Sequence, residues 1–222
     1  MIVIEDTVTD VPQWLIDTPT IQLIVHVLPQ EGTTALDVIE ADSDAGTPVV
    51  TTSGSANLVL VNGQNQPVIA MNNGQWYRWR MLFVSIHHAA VLTASGCEFG
   101  VLAKDGVYVY DAPRASDFMK FASGNRIDTL IRCTSSTTLA IDANADGNAA
   151  AGRRRMQATG GALEELTAST IVTITVTGAD ASASGGSLAS KAFTALMPGY
   201  LTDLRSVTVH GSKELELTGG NG

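Results

Sequence analysis

The sequence predicts an all-β fold, a Greek-key β-sandwich that ends in an irregular C-terminal linker segment. Many short strand-like segments follow one another at close spacing, and turn signals separate them. Three of these signals are the dipeptides Asn62-Gly63, Asn73-Gly74 and Asp105-Gly106. Each dipeptide can supply the two positive-φ residues of a type I′ turn, whose twist suits a hairpin. These observations favour antiparallel strands joined by tight turns.

The segment 75–84 shows the clearest strand pattern, because two kinds of residue alternate along it. One face carries the apolar side chains of Tyr77, Trp79, Met81 and Phe83, and the other carries Trp76, Arg78, Arg80 and Leu82. The pattern predicts a half-buried strand of an antiparallel sheet, with Trp79 in the core and Arg78 on the partly cationic face. Replacing an exposed Arg78 with alanine should then cost about 1 kcal/mol or less.

The rest of the chain contains further strand-like segments and two weak helical signals. Strands are predicted at 20–28, 126–134, 138–141 and 170–178, with a short one at 2–5. Turns of helix are predicted around 116–121 and 162–166, a polar acidic loop at 29–56, and linker composition at 179–190. We therefore predict one domain over residues 1–180, followed by residues 181–222 as a linker and lead-in to a further domain.

The composition is that of an acidic globular chain. The 222 residues are 45% hydrophobic and 16% charged, and the formal net charge is −9. This charge disfavours nucleic acid as a partner, because phosphate binding needs a basic surface. No apolar run approaches the length of about 18 residues that a membrane segment needs. Residues 1–6 lack the basic and apolar regions of a signal peptide.

The two cysteines, Cys97 and Cys133, both lie in strand-like segments. A disulfide between them would close a loop of moderate length and would fit an oxidising compartment. Free thiols in the core are the alternative, since unpaired cysteines bury readily. The sequence leaves both states open, because spacing alone does not establish the geometry of a disulfide.

Four charged residues form two pairs on strand faces. Arg78 and Arg80 share one face of their segment, and Arg126 and Asp128 share one face of theirs. One interpretation is a site for a substrate or an oxyanion. The other, which we favour, is an ion-pair network that fixes strand ends and domain contacts, with the Asp105-Gly106 turn as a further structural motif. No catalytic residue is predicted, because no arrangement singles out a nucleophile, an acid or a base.

Several separated motifs resemble those of one protein family. They are Val61-Asn62-Gly63-Gln64 with Gln66-Pro67, Gly74-x-Trp76-x-Arg78-Trp79-Arg80, Gly96-Cys97, the run 102–107, Pro113-Arg114 and Gly124-x-Arg126-x-Asp128. In this order they are similar to motifs of the second, plastocyanin-like domain of laccase-like multicopper oxidases. The resemblance covers roughly residues 1–178.

The resemblance implies a cupredoxin-like sandwich that is an internal piece of a longer protein. In three-domain members of the family, the copper ligands come from the first and third domains, so this chain would be a middle domain without copper. The parent enzyme would use copper to couple one-electron oxidation of phenols, amines or metal ions to reduction of O2 to water. Neighbouring cupredoxin domains of the same polypeptide would be the partners, and a secreted or extracytoplasmic location would follow.

The histidines agree with a domain that holds no copper. A blue-copper centre needs two histidines and a cysteine close together. His87 and His88 are adjacent, so they point to opposite faces of a strand, and His26 lies on a polar strand face. Neither these residues nor His210 neighbours a cysteine in sequence. We expect all four histidines to be surface or loop residues.

One acidic run resembles a calcium loop in part. Asp142-Ala-Asn144-Ala-Asp146-Gly147 matches the first half of an EF-hand loop, but its twelfth position is Arg153 where a glutamate is needed. We therefore expect a surface loop without calcium. The triple arginine 153–155 is expected to be solvated, with a site for a basic-specific protease as the alternative.

A different class of function stays open. The chain could be a free-standing β-sandwich that binds a partner or a carbohydrate, or the relic of an oxidase whose copper ligands are lost. The coding sequence on both sides distinguishes these cases. His-x-His motifs upstream and a His-Cys-His run downstream would support the oxidase, and stop codons at both ends would support a separate module.

Overall fold

The computed structural model describes residues 11–28, 58–85, 88–142, 164–165 and 169–194, together with the single positions 208 and 211. Several sequence predictions concern other parts of the chain. The strand at 2–5, the acidic loop at 29–56, the EF-hand-like run after Asp142 and the triple arginine lie outside the described residues.

The described residues form fifteen strands and three short helices. The strands are β1 (Thr20–Leu28), β2 (Leu58–Val61), β3 (Val68–Asn72), β4 (Tyr77–Val84), β5 (His88–Thr93), β6 (Cys97–Lys104), β7 (Val107–Tyr108), β8 (Asp111–Ala112), β9 (Arg114–Ser116), β10 (Met119–Phe121), β11 (Arg126–Cys133), β12 (Thr137–Ile141), β13 (Glu164–Glu165), β14 (Ser169–Thr177) and β15 (Phe193–Thr194). The helices are α1 (Gln13–Ile16), α2 (Ser182–Gly185) and a 3-10 helix (Leu188–Lys191).

Two mixed sheets contain most of these strands. Sheet A has seven strands in the order β2-β1-β4-β11-β6-β7, with β9 also paired to β6. Sheet B has six strands in the order β10-β5-β12-β14-β3, with β13 also paired to β5. β1 runs parallel to β4, and β14 runs parallel to β3. The antiparallel sheet predicted around 75–84 is therefore found on only one side of β4, where it pairs with β11.

The main hydrophobic core lies between the two sheets and includes residues of both. β4 contributes the four residues that alternation predicted, namely Tyr77, Trp79, Met81 and Phe83. β1 contributes Leu23, Val25 and Val27 in the same way. Trp79 and Phe83 are both 0% exposed. The all-β sandwich and the inward face of β4 are confirmed.

A second, smaller apolar cluster covers the outer face of sheet A. Its buried members are Val11, Leu15, Trp76, Leu102, Ala112 and Leu130, and Leu188 and Phe193 pack against it. The first residues of β4 are consequently buried on both faces, and Arg78 is only 4% exposed. The prediction of a half-buried strand is wrong at this end of β4, because the covering residues are distant in sequence.

The three turn dipeptides differ in what they connect. Asp105 (φ 50°) and Gly106 (φ 86°) join β6 to β7 as a hairpin. Asn62 (φ 52°) and Gly63 (φ 79°) also form a tight turn, but β2 and β3 on either side belong to different sheets. At Asn73-Gly74 only the glycine has a positive φ, and β3 and β4 again belong to different sheets. Two of the three dipeptides therefore lie where the chain passes from one sheet to the other, although the Asn62-Gly63 turn still closes one antiparallel bridge between Val61 and Gln64. Burial of the apolar faces determines which strands pair.

Neither predicted helical turn is present among the described residues. β10 lies within the first of them, and Met119 and Phe121 are each 1% exposed on one face of it. Alternate burial requires an extended chain, and antiparallel pairing with β5 provides it, so packing overrides the local preference. Residues 164–165, in the second, pair with β5 as β13. α1, which no sequence signal indicated, buries Leu15 in the outer cluster.

Within the described ranges, every helix falls short of the length and apolar character of a membrane span.

Candidate functional site

The charged residues predicted on β4 and β11 meet on the outer face of sheet A. In the sheet register, Asp128 lies opposite Arg80, and Leu130 lies opposite Arg78. The Oδ2 atom of Asp128 accepts a hydrogen bond from Arg78 Nη2 at 2.5 Å and lies 3.0 Å from Arg80 Nε. Arg78 Nη2 also donates to the Tyr108 hydroxyl at 2.9 Å. Two guanidinium groups thus share one carboxylate oxygen.

The burial of this ion-pair network limits the access of a dissolved ligand to its charged groups. The side chains of Arg78, Arg80 and Asp128 are 5%, 16% and 15% exposed. A nearly buried ion pair fixes the register of two strands, and removing one partner is strongly destabilising. An oxyanion site would instead need guanidinium groups that a solute can reach. The contacts favour the interpretation as an ion-pair network.

Arg126 forms its ion pair with Asp105, in the turn between β6 and β7, and not with Asp128. Asp105 Oδ1 accepts a hydrogen bond from the backbone N–H of Arg126 at 2.9 Å and lies 3.8 Å from Arg126 Nη2. Asn125 Nδ2 donates to Asp105 Oδ2 at 3.2 Å. The Arg126 and Asp105 side chains are 52% and 48% exposed, so their ion pair is worth about 0–1 kcal/mol. This cluster positions the Asp105-Gly106 turn against the start of β11.

Arg132, which the sequence analysis missed, has contacts that reach beyond the sheet. Its Nε atom donates to Glu98 Oε2 at 2.7 Å, across the β6–β11 pair. Its Nη1 atom donates to the carbonyl oxygen of Gly186 at 2.8 Å, and the guanidinium carbon lies 4.6 Å from the centre of the Trp76 ring. Alternation along β11 places Arg132 on the face that carries Asp128, and this was the one signal that could have identified it.

Gly74, in the motif that leads into β4, packs against the turn that follows β14. A Cβ atom at this position would lie 2.4 Å from both Asp180 Oδ1 and the backbone nitrogen of Ser182. The φ of 71° also favours glycine. The side chain and the backbone N–H of Ser182 lower the pKa of the Asp180 carboxyl, and this N–H donates to Asp180 Oδ1 at 2.8 Å. The motif glycine therefore permits a close approach of two segments that are far apart in sequence.

The described residues do not fit a copper centre. Cys97 and Cys133 lie opposite each other on β6 and β11 and are joined by a disulfide, with a Cα–Cα distance of 4.2 Å. Neither sulfur is therefore the free thiolate that a blue-copper centre uses. His26 is exposed on β1. In the part of the chain that the structure describes, no three His, Cys, Asp or Glu residues are grouped as metal ligands.

His88 contradicts the expectation that every histidine is a surface or loop residue. It lies in β5 and is 0% exposed. Its backbone N–H donates to Ser85 Oγ at 2.7 Å, and its Nδ1 atom lies 3.3 Å from the same oxygen. Hydrogen bonds of this kind offset the lost hydration of a buried polar group. His87 and His210 lie outside the described residues.

Denatured, unreduced protein is expected to show no reactive thiol, because both sulfurs belong to the Cys97–Cys133 bond. Reduction should lower the free energy of unfolding by about 2–4 kcal/mol, since the bond links residues 36 positions apart. Thiol titration and denaturant unfolding, each with and without reductant, measure both effects. Two reactive thiols in protein from an oxidising compartment would contradict the pairing. A Cys97→Ala/Cys133→Ala variant serves as the control for the reduced form.

The arrangement of strands matches that of solved multicopper oxidases. McoA of Aquifex aeolicus gives a TM-score of 0.54 over 85% of this chain and 37% of that chain, at 16% sequence identity. Its 2F4 variant gives 0.52 with the same identity and coverage. The multicopper oxidase of Campylobacter jejuni gives 0.49 over 84% of this chain and 34% of that chain, at 15% identity. No protein-family model and no curated protein matches the sequence.

The chain has the cupredoxin-like fold of a multicopper oxidase domain. The fold that the sequence motifs implied is thereby confirmed. The chain spans 37% of the length of McoA, so the similarity concerns one part of that protein.

Proposed function

We propose that this chain is the middle, plastocyanin-like domain of a laccase-like multicopper oxidase. It would space the copper-binding domains and help to wall the substrate pocket, with a domain boundary near residue 180. The observation that carries the proposal is the fold match to McoA, which uses 85% of this chain and 37% of that chain. A share of this size is what one domain of a three-domain protein would contribute.

The chemistry of the side chains supports a structural role within such an enzyme. Copper would be held by neighbouring cupredoxin domains of the same polypeptide. There it would couple one-electron oxidation of phenols, amines or metal ions to reduction of O2 to water. The residues of this chain keep the sandwich rigid: Asp128 holds two arginines between β4 and β11, and the disulfide joins β6 to β11. The disulfide also suits a secreted or extracytoplasmic location.

Copper loading of the 222-residue chain tests the proposed absence of a copper site. After loading and desalting, we expect far less than one tightly bound ion per chain and no intense blue absorption, because no free thiolate stands beside two histidines. The chain should oxidise a phenolic dye no faster than free copper does. An intact laccase treated identically is the positive control. Stoichiometric copper or dye turnover by this chain would contradict the scaffold role.

The alternative is a free-standing β-sandwich that binds a protein or a carbohydrate. Reading the coding sequence on both sides decides between the two. The oxidase predicts His-x-His motifs upstream and a His-Cys-His run downstream, since alternate residues of a strand reach shared metals from one face. Stop codons at both ends would overturn the proposed function. Flanking cupredoxin domains without these histidines would indicate an oxidase relic.

A further inference from the structure

Residues 186–194, which we call the strap, lie against the outer face of sheet A and are held there at three points. The first point is Gly186, whose carbonyl oxygen accepts hydrogen bonds from Arg132 Nη1 at 2.8 Å and from Trp76 Nε1 at 3.1 Å. The Arg132 side chain is 12% exposed and is itself anchored by Glu98. A mostly buried cation on β11 thus fixes the first residue of the strap.

The second point is Gly100 of β6, where the absence of a side chain leaves space for a residue of the strap. A Cβ atom on Gly100 would lie 2.5 Å from Leu188 Cδ1 and 2.8 Å from Pro113 Cβ. The φ of Gly100 is outside the left-handed region, so its backbone conformation does not require glycine. A glycine inside a strand often marks close approach of another segment. Here the approaching group is Leu188, which packs against the outer cluster.

The third point joins the strap to the segment before β1. The rings of Trp14 and Phe193 meet edge to face, with centres 5.9 Å apart. Lys191 Nζ lies 5.2 Å from the centre of the Trp14 ring. Phe193 also pairs with Ala112 in the short ladder between β15 and β8. The strap follows the last strand of the two main sheets, and it therefore contacts the segment that precedes the first strand.

We propose that the strap is a latch that opens as a unit while the sandwich stays folded. As far as the structure describes it, the core between the sheets is built without strap residues, and no residue of 186–194 is fully buried. Segments with few buried contacts open at a lower free energy than the core. Opening would remove Leu188 and Phe193 from the outer cluster and break the hydrogen bond from Trp76 Nε1 to Gly186. The inference goes beyond the proposed function and does not depend on it.

Tryptic cleavage after Lys191, followed by mass spectrometry, reports the open strap, because a protease needs an undocked segment. In the 222-residue chain, Arg132→Gln should raise the rate of this cleavage about tenfold, since it removes a charge-assisted hydrogen bond to Gly186. Gly100→Ala should act in the same direction, because its methyl group would occupy the space of Leu188. Arg126→Gln is the matched control: it removes another β11 arginine that pairs with a carboxylate, and the rate should not change.

Amide hydrogen exchange in β4 and β11 of the same variants separates opening of the strap from global unfolding. Faster cleavage with unchanged exchange in these strands supports the latch. The proposal fails if cleavage and exchange rise by the same factor, because the strap would then open only with the core. It also fails if Arg132→Gln and Gly100→Ala are both cleaved at the wild-type rate. Wild-type cleavage as fast as that of a free peptide of residues 186–194 would show that the strap is not docked.

Discussion

Replacing Trp79 with alanine is expected to lower the free energy of unfolding by about 3–5 kcal/mol, because the change removes a large buried side chain and leaves a cavity. Trp79 is 0% exposed and lies between the sheets, in register with Ile21 of β1 and Thr129 of β11. Denaturant unfolding, with the slope of the transition checked for two-state behaviour, measures the loss.

Val68→Ala is the control for the Trp79 prediction. Val68 is an apolar residue of β3 that is 66% exposed, so its truncation should change stability by about 0.5 kcal/mol or less. If Trp79→Ala costs no more than Val68→Ala, the inward face of β4 is misassigned. The core would then not lie between the two sheets at Trp79.

Replacing Asp128 with asparagine is the second change with a large expected effect. It keeps the volume of the side chain but removes the negative charge that faces Arg78 at 2.5 Å and Arg80 at 3.0 Å. We expect a loss of about 2–4 kcal/mol, somewhat below the range for a fully buried pair because Asp128 keeps some contact with solvent. Equilibrium unfolding in urea at neutral pH measures it.

The matched control for Asp128→Asn is Arg126→Gln, which breaks the half-exposed pair with Asp105. That change should cost about 1 kcal/mol or less, because solvent screens the pair. High salt should weaken the Arg126–Asp105 pair more than the buried network. Equal, small losses in both variants would show that the Asp128 network does not contribute to stability.

The inward faces of the strands could be predicted because they depend only on the local alternation of side chains along each strand. Trp79 and Phe83 alternate with residues of different character, and a strand sends alternate side chains to opposite faces. Leu23 and Val25 in β1 and Val172 and Ile174 in β14 lie at alternate positions in the same way, and all four are buried. The two-layer fold follows from several such faces, since each must be covered by another.

The outer face could not be predicted in this way. Arg78 follows the pattern of an exposed residue, yet it is only 4% exposed, and Tyr108 and Asp128 contact its guanidinium group. Its replacement by alanine should therefore cost about 3 kcal/mol rather than the 1 kcal/mol or less expected of an exposed arginine. The bond from Arg132 to Gly186 likewise joins residues 54 positions apart, and no periodicity in the sequence connects them. The hairpin predicted at Asn73-Gly74 was not found for the same reason, because the turn residues do not specify which sheet receives the next strand.

The parallel pairing of β14 with β3 has a consequence for how the domain folds. Thr175 Oγ1 of β14 donates to the carbonyl oxygen of Ile69 in β3 across a separation of 106 residues. Among the described strands, β3 pairs with β14 alone. Contacts between such distant residues form slowly, because closing a long loop is entropically unfavourable before the contacts exist. During synthesis from the N-terminus, β3 is therefore made early and stays an unpaired edge strand until β14 has been made. In that interval other chains could pair with β3. Folding can therefore be completed only after β14, the last strand of the two main sheets, has been synthesised, although most sequence motifs lie before it.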